Sequence, residues 1–115
     1  MPDVQKSEHG ACTVLRIVGP FGASIGEPGP AARLRDVMLS IPTPPCVVLD
    51  LGAMTSWDDA TIGALIAAGK RAWSAGGWLV IAAAAPDLVE RFRAAALPFE
   101  LYDTTADAVA AFGQG

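Results

Sequence analysis

Cys46 to Leu51 (CVVLDL) is an apolar run broken by a single acid, and Trp78 to Ala84 (WLVIAAA) is a second run with no charge at all. Short apolar stretches without polar alternation are what strands covered on both faces look like, so each is predicted to be a buried strand. Between them Ile62, Leu65, Ile66, Gly69 and Trp73 form a helical stripe, with Asp58 and Asp59 ahead of it and Lys70 and Arg71 in its later turns. Acids at the start and bases toward the end both suit the helix dipole. Two buried strands joined by an amphipathic helix require a layered α/β architecture with helices on a sheet that is at least partly parallel.

The flanking segments extend this pattern. Cys12 to Val18 (CTVLRIV) is rich in β-branched residues and reads as a strand ending at Gly19-Pro20. Four glycines and three prolines between Gly19 and Pro30 make that stretch mainly loop, with room for a short edge strand near Phe21 to Ile25. Pro30 opens a helix whose stripe is Leu34, Val37, Met38 and Ile41, and Pro42, Pro44 and Pro45 close it. A turn is predicted at Gly52-Ala53, and Gly76-Gly77 ends the helix after Asp59. Pro86-Asp87 starts a third helix with Leu88, Val89 and Phe92 on its apolar side. A short strand, Phe99 to Tyr102, then leads to a last helix over Val109 and Phe112. The length of 115 residues suits one domain, with residues 1–10 expected as a flexible N-terminal tail.

Composition excludes several function classes. A net charge of −4 without a basic cluster opposes nucleic acid and anionic membrane surfaces. Ala72 to Pro86, the longest uncharged run at fifteen residues, is too short and glycine-broken to span a bilayer. The polar first eleven residues lack the apolar centre of a targeting segment. Cys12 and Cys46 are too few for a stapled secreted domain, so a reducing cytoplasm is expected. His9 is the only histidine, which leaves no Ser-His-Asp or Cys-His constellation, and no ligand cluster suits a metal. Gly63 to Lys70 departs from a phosphate-binding loop in spacing, has Arg71 in place of its Ser/Thr, and lies within a helix. No cofactor is expected.

The run LDLGAMTSWDDATIGALIAAGKRAWSAGGWLVI resembles the central signature of STAS domains, the family of bacterial anti-sigma-factor antagonists. Asp50-Leu51 match the family's strand end and Gly63 its second glycine. Ile62 and Leu65 fall on its helical apolar positions, and Gly76-Gly77 stand where it turns into the next strand. The tail LPFELYDTTADAVAAF resembles its closing strand, Tyr-Asp and helix. The resemblance covers residues 46 to 112, and more weakly the first strand through Gly19. It implies a STAS-like fold, a four- to five-stranded mixed sheet with about four helices packed against it.

By the same resemblance the protein is a non-catalytic, cytoplasmic regulatory module that binds an anti-sigma factor or related kinase, so that a sigma factor is released. A homodimer is compatible with it. Alternatives are a STAS subunit of a lipid-transport ATPase or stress-signalling complex, or a small-molecule sensor with the Gly/Pro-rich loop as its lid. In the family the residue after the aspartate aligned with Asp58 is the Ser or Thr that a kinase phosphorylates; here it is Asp59. Aspartate takes no phosphate from a Ser/Thr kinase and carries one negative charge where phosphoserine carries roughly 1.5 to 2. The family's Gly-Glu-Leu-Asp becomes Gly19-Pro20-Phe21-Gly22, without its acids. The candidate partner surface is Trp57, Asp58, Asp59, Ala60 and Thr61, with Phe21, Gly22 and Ser24 of the loop. Independently of any family, a helix N-terminus stabilises an anion, and either aspartate can simply cap the helix; Ser56 with Asp59 three positions on approximates a capping box.

Overall fold

The computed structural model describes residues 3–9, 12–20, 30–97 and 99–113. In chain order these form β1 (Asp3–His9), β2 (Cys12–Pro20), α1 (Pro30–Leu39), β3 (Cys46–Ser56), α2 (Asp59–Ser74), β4 (Trp78–Ala82), α3 (Pro86–Ala94), β5 (Leu101–Tyr102) and α4 (Thr105–Gly113). The five strands lie in the order β1-β2-β3-β4-β5. β1 is antiparallel to β2, and every later pair is parallel. The four helices on a largely parallel sheet are what the alternation predicts, and the mixed sheet is what the resemblance implies.

The two faces of the sheet are filled differently. Leu15, Ile17, Val47, Leu49, Leu51, Leu79 and Ile81 point to one side, against Leu34 and Met38 of α1, Ile62 and Leu65 of α2, and Leu88 and Phe92 of α3. Val14, Val48, Val80 and Ala82 point to the other, where Ala108 of α4 closes a smaller core. Successive strand residues alternate faces, so the unbroken apolar runs are explained by burial on both sides. Ile41 lies beyond α1 yet stays in the larger core.

Residues 3–9 are a correction: the expected flexible tail is a strand, registered along its whole length with β2 from Asp3 opposite Val18 to His9 opposite Cys12. From Val4 on its side chains are exposed or half-buried, so burial leaves almost no hydrophobic signature; backbone pairing makes the strand, and among the described strands it stands at the edge of the sheet, where charges disfavour pairing with another chain.

The turn at Gly52-Ala53 is a second correction. β3 runs on to Ser56, absorbing two irregularities: Arg16 pairs with Asp50 but Val18 with Ala53, and Gly19 pairs with Met54 but Pro20 with Ser56. Each leaves one extra residue on β3, a bulge, and at the first the Asp50 carboxylate accepts the Gly52 backbone N–H at 2.9 Å. The longer strand carries the chain farther before α2 begins. At the opposite end of α2, Gly76 has a φ of +78°, and a Cβ on Gly77 would collide with the Pro45 carbonyl oxygen. Glycine is required at both positions for different reasons, one conformational and one steric.

Candidate functional site

β3 delivers the chain to Trp57 and Asp58, and α2 starts at Asp59. Asp58 is the N-cap, with extended backbone (φ −143°, ψ −171°). Its Oδ1 accepts the Thr61 backbone N–H at 3.0 Å, while the Asp58 backbone N–H donates to Thr61 Oγ1 at 3.0 Å. The Thr61 hydroxyl also donates to Asp58 Oδ1 at 3.2 Å. This reciprocal pair is a capping box, worth about 0.5–2 kcal/mol. The Ser56–Asp59 pairing is therefore corrected: Ser56 still belongs to β3, and the box sits two residues later at its start.

Capping removes Thr61 from the candidate surface. Its side chain is fully buried and committed to Asp58, so it offers nothing to a partner or a kinase. Asp59, at the first helical position, is different: its side chain is 87% exposed and its Oδ1 accepts from Arg91 Nη2 at 3.1 Å. Ala60 beside it is exposed. One turn on, Gly63 is also exposed, with open space where a Cβ would stand. A charged tip followed by bare backbone results, since positions i and i+4 share a helix face.

Trp57 is half-buried against the larger core, and its indole N–H donates to Asp87 Oδ2 at 3.1 Å. The ring thus serves as packing beneath the start of α2 and as a tie to the first turn of α3. Two contacts, Trp57 to Asp87 and Asp59 to Arg91, cross between the elements. Asp87 and Arg91 are one turn apart on α3 and face the same way. Neither was among the candidate residues, and together they make α3 the second wall of the site. Locally the sequence offers only the i, i+4 spacing of an acid and a base on α3, and their partners, Trp57 and Asp59, lie thirty or more positions away. Phe21, Gly22 and Ser24 lie outside the described residues. Thr55 and Ser56, the hydroxyls just before the site, are exposed at the end of β3.

Against known families, residues 3–110 match the model of the STAS domain. The chain belongs to the STAS domain family. Solved STAS structures share its architecture: an anti-sigma-factor antagonist (STAS) domain protein from Planctomyces limnophilus is 16% identical, with a TM-score of 0.76 over 96% of this chain and 97% of that one. The anti-sigma factor antagonist SpoIIAA in its unphosphorylated form is 11% identical, with a TM-score of 0.74 over 98% of this chain and 99% of that one. A sulfate transporter family protein from Wolinella succinogenes is 18% identical, with a TM-score of 0.76 over 95% of this chain and 90% of that one. By sequence, no curated protein matches. At these identities the likeness is one of fold, the five-stranded mixed STAS sheet with its four helices.

Among the described residues no group of three or more His, Cys, Asp or Glu is arranged to hold a metal ion. No helix there is long and apolar enough to cross a membrane.

Proposed function

We propose that this STAS domain is a non-catalytic regulatory module that binds an anti-sigma factor or related kinase through the start of α2 and the adjoining side of α3. The observation that carries the reading is the exposed Asp59 carboxylate at the first position of α2, held by Arg91 at 3.1 Å beside exposed Ala60 and Gly63. Small side chains let a partner's backbone come close to the helix, while Asp59 sets charge at the position where the family carries its phosphorylatable hydroxyl. The carboxylate is permanent, so binding is not switched by phosphorylation at residue 59. Similarity to SpoIIAA and to the antagonist from Planctomyces limnophilus supports this class of partner.

Affinity purification of the tagged protein from its own cells, wild type beside Asp59→Ser, with partners and phosphosites read by mass spectrometry, tests it. An anti-sigma factor recovered in an amount that differs between the two forms is expected. Recovery of a transport complex would instead favour the reading as a transporter-associated STAS subunit, which the likeness to the sulfate transporter family protein supports.

A further inference from the structure

β2 and β3 run parallel, and Thr13 pairs with Val47, which sets Cys12 beside Cys46 as the first residues of the two strands. Both are free thiols, with Sγ atoms 3.4 Å apart. They share the strand parity of Val14 and Val48, which point to the α4 side. Cys12 is buried at 3% exposure, and Cys46 is half-buried. Asp59 follows the far end of β3, roughly 30 Å along the strand at about 3.3 Å per residue. The thiol pair is therefore separate from the candidate partner surface.

We propose that Cys12 and Cys46 form a dithiol modification site that takes a low-molecular-weight disulfide, of the glutathione disulfide class, and closes to an internal disulfide. Cys46, the more accessible of the two, loses its proton to solvent, and its thiolate attacks one sulfur of the small disulfide. One small thiolate leaves and takes up a proton, and a mixed disulfide remains on Cys46. Cys12 then loses its proton and attacks the Cys46 sulfur, expelling the second small thiol. Two protein thiols are oxidised by two electrons, and one small disulfide is reduced to two thiols.

Geometry favours closure over a lasting adduct. Neighbouring strands lie about 4.7–4.9 Å apart, within the roughly 4.4–6.8 Å between Cα atoms that a disulfide accepts. Both cysteines begin their strands, where a residue is paired on one side of the chain only, so a side-chain rotation and a small backbone shift bring the sulfurs together. Burial, with the neighbouring Cys12, pushes the Cys46 thiol up to about 12. Thiolate is accordingly scarce at neutral pH, and the reaction is best followed under mildly alkaline conditions. The bond would enclose α1 and tie the strand-helix-strand unit, restraining the unfolded chain more than the folded one.

The test treats the full chain with glutathione disulfide under those conditions, alongside Cys12→Ala and Cys46→Ala, both first shown to be folded by circular dichroism. Intact mass is read after acid quenching. Wild type is expected to lose two hydrogens without retaining glutathione, and Cys12→Ala to hold one glutathione on Cys46. The melting temperature of wild type should rise by several degrees and return after reduction. A stable glutathione adduct or covalent dimer in wild type would overturn the proposal. So would wild type that keeps both thiols free.

Discussion

Arg91 on α3 donates from Nη2 to Oδ1 of Asp59, the first residue of α2, across 3.1 Å and thirty-two positions of sequence. Both side chains are substantially exposed, at 44% and 87%. Solvent-screened pairs of this kind contribute about 0.2–1 kcal/mol. The pair is weak as a stabiliser and therefore informative as a surface: it fixes where the Asp59 charge points without being needed for folding.

A charge swap exploits this. Asp59→Arg or Arg91→Asp alone should lower stability by no more than about 1 kcal/mol, and the double exchange should recover most of that loss, as urea unfolding would show. Partner binding should not recover, because the sign of charge at residue 59 remains reversed. Full recovery of binding in the double variant would locate recognition elsewhere.

Asp58 predicts the opposite balance. Asp58→Ala removes the capping acceptor and leaves the buried Thr61 hydroxyl without that partner. The expected loss is about 1–2 kcal/mol, read from the denaturation midpoint. Asp58→Asn or Asp58→Ser, which can still accept from Thr61, should retain most of the stability. A neutral Asp58→Ala would show that the capping box contributes nothing.

Gly63 separates folding from docking. A Cβ there meets nothing within 4 Å. Gly63→Ala should therefore stabilise α2 by about 0.5–1 kcal/mol, since alanine restricts the unfolded chain and favours the helix. If a partner packs on this bare stretch, the same methyl group weakens binding while the protein becomes more stable. Calorimetry on the free protein and titration with the partner check both signs; stabilisation with unchanged affinity would free this face of any docking role.

Alkaline pH should expose the Cys46 environment. Its folded pKa is raised from 9.0 to about 12, first by burial and then by Cys12. A group with a raised folded pKa contributes stability that is complete below its unfolded value and is lost as pH climbs toward the folded one. Stability should therefore fall between about pH 9 and pH 12 more steeply in wild type than in Cys46→Ala. Parallel curves for the two proteins would contradict this reading.

Much of this architecture is legible in the residues because it is local. The runs at Cys46 and Trp78 and the stripe from Ile62 to Trp73 each carry their own periodicity, and they define the central parallel unit. β1 is not legible in this way: its existence depends on pairing with β2, a tertiary event that leaves Gln5, Lys6, Ser7, Glu8 and His9 exposed. Ser56–Asp59 and Asp58–Thr61 have the same spacing, so spacing alone does not place the capping box. The extension of β3 past its bulges to Ser56 decides between them, and nothing in the local sequence announces it. The contribution of α3 to the site is similarly non-local, because Trp57 and Asp87 meet only when the helices have packed.

The most direct test measures the affinity of the recovered anti-sigma factor for wild type and Asp59→Ser, each with and without ATP, by isothermal titration. Wild type should bind equally under both conditions. Asp59→Ser should acquire phosphate at residue 59 and change its affinity by about tenfold or more, corresponding to about 1.4 kcal/mol. Phosphate gained at that position with no change in affinity would contradict the claim that the charge at residue 59 governs binding.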